Sequence, residues 1–185
     1  YEEKNRLVQQ GNDMILVIGK EDWPFPIPVI KKGDSWVFDI ARGREEILNR
    51  RIGENELNTI QVCRAIVDAQ REYAMKDRDK NGLLEYAQKF LSDPGKKNGL
   101  YWEAKAGEPL SPLGPITIQA RGEGYQRNTS GGPSPYHGYY YRILTAQGKD
   151  APGGAYSYLV KGKMIGGFAV VAYPAEYENS GVMTF

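Results

Sequence analysis

The sequence predicts an α+β fold: a long helix packed on an antiparallel sheet, preceded by a small N-terminal β-hairpin segment. Three observations predict it. Residues 54–75, ENELNTIQVCRAIVDAQREYAM, repeat apolar side chains at helical spacing. Residues 139–185 hold β-rich runs separated by the turn signals APGG, KGK and ENSG. Residues 13–40 hold shorter strand-like runs punctuated by Gly and Pro. A helix followed by consecutive strands, with no βαβ alternation, is the α+β pattern. The expected organisation is a segment 1–43, open to being the remnant of a longer domain, and an α+β domain 44–185.

The N-terminal segment begins with MILVIG (residues 14–19), a short apolar run, then residues 27–30 and 36–40 around the Lys32-Gly33-Asp34 turn. Between them, WPFPIP sets Pro24, Pro26 and Pro28 at alternate positions, which prevents regular ladder donation. It reads either as a polyproline-type ligand for an aromatic groove or as a stiff edge piece pinning Trp23 and Phe25 on the core. The second is preferred. Residues 44–51 predict a short amphipathic helix stopped at Gly53, and residues 54–75 the long helix.

In that helix Leu57, Ile60, Cys63, Val67 and Ala74 form a stripe, which Val62, Ile66, Ala69 and Tyr73 widen. Glu54 and Glu56 fall in the first turn, where the helix dipole favours acids. Residues 83–91 predict a second short helix, and residues 92–138 a turn-rich stretch whose last part, 121–138, is a long Gly-rich loop. A meander over 139–146, 155–160, 167–173 and 182–185 closes the chain.

Composition excludes several classes of function. With 24 basic and 23 acidic side chains the net charge is +1, which gives no electrostatic footprint for nucleic acid. No apolar run approaches the roughly 20 residues that span a bilayer, so no transmembrane segment is expected in this chain. One Cys excludes an internal disulfide, and one His excludes a three-His zinc centre. Cys63, on an apolar helix face, reads as a core residue and not as a nucleophile.

Three places could carry chemistry. KDRDKNGLLEYAQ starts as a calcium loop does: Asp77, Asp79 and Asn81 at alternate positions, Gly82 at the sharp turn, then the Leu83 carbonyl and Glu85. The twelfth position is Gln88, a neutral amide where calcium loops place a bidentate carboxylate. The competing reading is a helix-ending turn, which Asp, Asn and Gly favour. Calcium is thus the single cofactor the sequence raises, and none is the alternative. His137, the sole His, is a weak catalytic candidate with unnamed carboxylates, because no Ser elbow or phosphate loop accompanies it. Tyr136, Tyr139, Tyr140 and Tyr141, with Trp102, form a candidate aromatic ligand surface, although strands favour Tyr in any case.

Several stretches together resemble a bacterial family, domain of unknown function 2950. They are GKEDWPFPIP, EEILNRRIGENEL, AQREYAMKDRDKNGLLEYAQKF, GLYW, SPLGP, YHGYYYRILTAQG and GKMIGGFAVVAYPAEYENSGVMTF, which cover most of the chain in order. The resemblance implies an exported bacterial protein, periplasmic or extracellular, with no established activity. It also implies members longer at both ends, so that this chain, which begins YEEKNRL, is a processed or truncated form. A weaker resemblance, in element order alone, is to pilin-like proteins. The expected function is a non-enzymatic binding or structural module and a candidate cell-envelope component. The rivals are a hydrolase using His137 with carboxylates and an envelope-polymer binder using the tyrosine-rich loop.

Overall fold

The computed structural model describes residues 4–125 and 134–185. The chain divides into two units, Tyr1–Glu54 and Asn55–Phe185. Part of the Gly-rich loop, residues 126–133, lies outside the described residues.

The first unit is built on an antiparallel sheet. Strands β1 (Asn5–Gln10) and β2 (Asp13–Ile18) pair along their whole length, from Asn5↔Ile18 to Gln10↔Asp13. Gly11 at φ 63° makes the tight turn between them possible. β3 (Trp23–Pro24) pairs with β2, and β4 (Val29–Lys32) lies between β2 and β5 (Ser35–Phe38). β1 is a strand that hydrophobic patterning does not reveal, since all six of its residues are exposed.

WPFPIP contributes its two-residue strand and then leaves the ladder, as its prolines require. Trp23 is not a core anchor: it is 49% exposed, with the Arg50 guanidinium 5.5 Å from its ring. Arg50 also donates to the Pro24 carbonyl at 2.7 Å. Phe25, partly buried and edge-on to Phe38 at 5.9 Å, does the anchoring instead.

Helix α1 runs Ile40–Ala74 without interruption. Asp39 caps it, its Oδ1 accepting from the Arg42 N–H at 3.2 Å. At Gly43 a Cβ would stand 2.7 Å from Ile27 Cγ1, so glycine lets strand-side packing approach the helix. The break expected at Gly53 does not form. A mid-helix glycine costs about 1 kcal/mol against alanine, whereas ending the helix leaves several backbone groups unpaired.

In the second unit the buried side of the helix is Thr59, Val62, Ile66, Ala69, Gln70 and Tyr73. The narrower expected stripe is displaced from it: Leu57 is 67% exposed and Ile60, Cys63, Val67 and Ala74 are intermediate. Against this face pack Ala87, Leu100, Ile143, Tyr158 and Met164.

The helix expected over 83–91 is absent because its backbone groups bond elsewhere. The Gln70 amide clamps Ala87, donating to its carbonyl and accepting from its N–H, both at 2.8 Å. Tyr86 donates to the Met164 carbonyl at 2.8 Å, and Tyr101 to the Phe90 carbonyl at 2.7 Å. A helix forms instead at α2 (Gly114–Gly122), inside the stretch read as turns, with Pro115 in its first turn.

The C-terminal strands do not make one meander. β6 (Tyr139–Leu144) pairs with the last strand, β11 (Ala169–Pro174), from Tyr139↔Pro174 to Leu144↔Ala169. Between them lie two small hairpins, β7 (Ala146–Gln147) with β8 (Tyr156–Ser157) and β9 (Leu159–Val160) with β10 (Lys163–Met164). Left-handed backbone at Gly153, Gly154, Lys161 and Gly162 turns the chain inside each hairpin before a ladder can lengthen. The α+β class with antiparallel sheets therefore stands, in several small sheets.

Residues 182–185 are not a regular strand, yet Phe185 exchanges both backbone bonds with Ala172, at 2.8 and 2.9 Å. Glu56 holds this tail through the N–H groups of Val182 and Met183, at 2.9 and 3.0 Å. Among the described residues no helix is long and apolar enough to cross a membrane.

Candidate functional site

The second unit presents an aromatic-lined cleft of about 820 Å³. Its first wall is the stretch 90–102, held in place by the bonds just described and by Ser92, whose Oγ accepts from the Gly99 N–H at 3.0 Å. Gly99 must be glycine, because a Cβ would meet the Leu91 carbonyl carbon at 2.7 Å. Its second wall is α2, tied on by Leu113 N–H to the Leu100 carbonyl at 3.0 Å. Phe90, Tyr101, Trp102, Tyr125 and Tyr136 supply rings to the lining. Arg121 donates to the Tyr101 hydroxyl at 3.2 Å, fixing a cation among them. The Trp102 Nε1–H is buried with no hydrogen-bond partner among the described residues. An indole can only donate, and a buried donor left unpaired is unfavourable by about 1–3 kcal/mol.

His137 sits beside this cleft in a left-handed conformation, φ 48°. Its Nε2 lies 3.5 Å from Glu123 Oε2 and its Nδ1 3.4 Å from the Asn58 amide nitrogen. The imidazole also tilts against Tyr136, with ring centroids 4.0 Å apart. Tyr136 donates its hydroxyl to Glu123 at 3.1 Å; burial and that carboxylate push the phenol up to about 12. Glu123 is held below the usual carboxylate range, first by the Gln119 amide, then by Tyr136 and His137. This is a carboxylate–imidazole pair, and Glu123, Gln119 and Asn58 are partners that no local motif identifies.

The tyrosine cluster disperses. Tyr139 is fully buried under Gly181 and donates to the Met183 carbonyl at 2.9 Å. Tyr141 reaches Thr59 Oγ1 at 3.2 Å, with burial raising its phenol. Tyr140 packs on Tyr173, centroids 5.7 Å apart. Strand alternation divides the three between two faces, so of the predicted surface Tyr136 and Trp102 alone line the cleft. Cys63 is half-buried and lies outside the core cluster, and burial raises its thiol, away from thiolate chemistry.

The DRDKNG loop is a helix-ending turn already furnished with a cation. Asp77 accepts from the N–H groups of Asn81 and Gly82, at 3.1 and 2.8 Å. Lys163 on β10 places its ammonium 2.5 Å from Asp79 and 2.9 Å from Glu85. The Leu83 N–H donates to Asn81 Oδ1 at 2.8 Å. These oxygens face protein donors, and calcium would have to displace the Lys163 ammonium. Among the described residues no group of three or more His, Cys, Asp or Glu is placed to hold a metal ion.

The Lys163 bond, and then its charge, lower the Asp79 carboxyl below its ordinary value near 3.8. A depressed folded value contributes stability above the unfolded value and loses it as pH falls through the folded one. Lys163→Gln is therefore expected to lower the melting temperature at neutral pH and to flatten the acid limb below about pH 4. Equal acid limbs in the two proteins would contradict the pairing. A melting temperature raised by millimolar calcium would show that the ion can replace the Lys163 ammonium, and an unchanged one that it does not.

Fold and site together define an α+β protein with an aromatic-lined, cation-bordered cleft in its second unit. The chain belongs to the family described as protein of unknown function (DUF2950), whose match spans residues 1–185. No curated protein and no solved structure matches it.

Proposed function

We propose that the chain is a non-catalytic binding module of an exported bacterial protein, periplasmic or extracellular. Its ligand in this reading is a sugar-containing polymer of the cell envelope. The observation that supports it is the convergence of Phe90, Tyr101, Trp102, Tyr125 and Tyr136 on one open cleft. Aromatic faces stack on the C–H faces of sugar rings, and Tyr101 and Tyr125 add hydroxyl groups able to bond sugar oxygens. Co-sedimentation with purified cell-wall sacculi tests it. Trp102→Ala is expected to weaken binding about tenfold, the effect of losing one aromatic contact. Equal retention of wild type and variant would remove the cleft from the binding site.

A second reading has one specific observation in its favour. The Glu123–His137 pair, 3.5 Å apart, is the arrangement a hydrolase uses to orient a general base. Here His137 would take a proton from water and Glu123 would hold the ring. Release of reducing ends from the same sacculi, lost in His137→Gln, supports this reading; binding without turnover supports the first.

A further inference from the structure

A second cleft of the Asn55–Phe185 unit, about 800 Å³, has more positive than negative charge in its lining. Lys76, Arg78, Lys89, Lys96, Lys97 and Lys163 stand around it with the two acids Asp79 and Glu85. Four of the cations have carboxylate partners. Lys89 meets Asp93 at 2.5 Å, Lys96 the same residue at 3.9 Å and Lys97 Glu108 at 3.6 Å. Lys163 has Asp79 and Glu85. Among the described residues Lys76 and Arg78 have no ion-pair partner.

Arg78 is the more constrained of the two. Its guanidinium carbon lies 4.6 Å from the Tyr73 ring centroid and 5.0 Å from that of Trp102. Its Nε donates to the Tyr73 carbonyl at 3.3 Å, in the last turn of α1, where the helix dipole favours a cation. That bond uses one of the five N–H donors an arginine carries. Neither Nη has a protein acceptor among the described residues. Burial lowers the guanidinium's affinity for its proton, and the Tyr73 hydroxyl and the more distant Glu72 carboxylate, which makes no ion pair with it, offset this only in part. The Tyr73 hydroxyl donates to the Lys97 carbonyl at 3.1 Å and so fixes the neighbouring wall.

We infer that this cleft is an oxyanion subsite in which Arg78, its guanidinium packed on Tyr73 and Trp102, receives a carboxylate or phosphate group with Lys76 beside it. A planar fork fixed by aromatic stacking loses little entropy on making a bidentate bond to such a group. A purely structural role accounts for the stacking and the Nε bond. It leaves both Nη groups without acceptors in a cleft that holds six cations and two acids. Gly95, Lys96 and Lys97 belong to the walls of both clefts, so an acidic sugar polymer can present its ring to one and its charge to the other. The subsite extends the glycan reading without depending on it, since inorganic phosphate probes this cleft and a neutral oligosaccharide probes the aromatic one.

The test is a titration of the full chain with inorganic phosphate at fixed ionic strength, followed by the Arg78 Nε–H resonance and by melting temperature. A saturable shift of that resonance and a raised melting temperature are expected. Arg78→Gln should weaken phosphate binding about tenfold or more, and Lys149→Gln, on an exposed turn, should leave it unchanged. Oligogalacturonate run in parallel distinguishes a polymer-borne carboxylate from free phosphate as the source of the anion; Arg78-dependent binding of either supports the subsite. A resonance that responds to neither anion overturns it, as does phosphate binding of equal strength in folded Arg78→Gln. Should that variant fail to fold, the wild-type resonance decides.

Discussion

Gly181→Ala is expected to be among the most damaging single substitutions in the chain, lowering stability by about 3 kcal/mol through overpacking. The position is not special for its backbone dihedral; it is special for what lies over it. A Cβ there would stand 2.1 Å from the Tyr139 hydroxyl oxygen and 2.5 Å from two ring carbons. Tyr139 cannot yield, because it is fully buried and its hydroxyl is bonded to the Met183 carbonyl. The tail must therefore lift, which strains the Glu56 bonds to Val182 and Met183 and the Phe185–Ala172 exchange. Urea denaturation checks it: the midpoint should fall at an unchanged slope. Tyr139→Phe removes the nearest clashing atom, so the double variant should recover part of the loss, a coupling that distant sites do not show. A fully additive double variant would contradict this packing.

Gln70→Leu comes next, with an expected loss of about 3 kcal/mol, the combined effect of leaving the Ala87 N–H and carbonyl unpaired in the core. Both Gln70 and Ala87 are buried, so water cannot replace the lost bonds. Gln70→Glu discriminates between lost hydrogen bonds and lost volume, since it keeps the shape and the acceptor but removes the donor facing the Ala87 carbonyl. A buried carboxyl that can donate only when neutral has its folded pKa raised. Its contribution is present at low pH and is lost as pH rises through that value, so the variant should lie closest to wild type in acid. Equal deficits at acid and neutral pH would show that the clamp is not what holds the segment.

Gln70 also shows where the sequence was readable and where it was not. The wide apolar face of the long helix, Val62, Ile66, Ala69 and Tyr73, follows from helical spacing and is the face that buries. That a polar Gln shares this face is invisible to a hydrophobic pattern, because its burial depends on a segment seventeen residues on. The same clamp undid the helix expected over 83–91: that stretch has helical spacing, but tertiary bonds take its backbone groups. α2 was missed for the opposite reason, since Pro115, Thr117 and Ile118 read as a breaker followed by β-branched residues. Tertiary context overrode propensity in both places.

At the candidate site, residue types were legible but groupings were not. Strand alternation alone forecasts that adjacent tyrosines cannot all share one face, and Tyr139 is accordingly in the core. DRDKNG was legible as a turn rich in oxygen ligands. Its cation lies on β10, at Lys163, and no spacing rule reaches across 84 residues to find it. His137 was identifiable as a single residue, whereas Glu123 and Asn58 come from α2's end and from α1. Trp102 was grouped with Tyr139, Tyr140 and Tyr141, whereas it lines a cleft with Phe90, Tyr101, Tyr125 and Tyr136.

The aromatic cleft is tested most directly through its own tryptophan. Trp23 and Trp36 both lie in the first unit, so replacing them by Phe leaves Trp102 as the sole indole. Titrating that protein with soluble, sugar-containing fragments of envelope polymer should give a saturable change in indole emission that Tyr101→Ala weakens. An indole that responds to no fragment at millimolar concentration, in a protein that still sediments with sacculi, would place binding elsewhere and contradict the assignment.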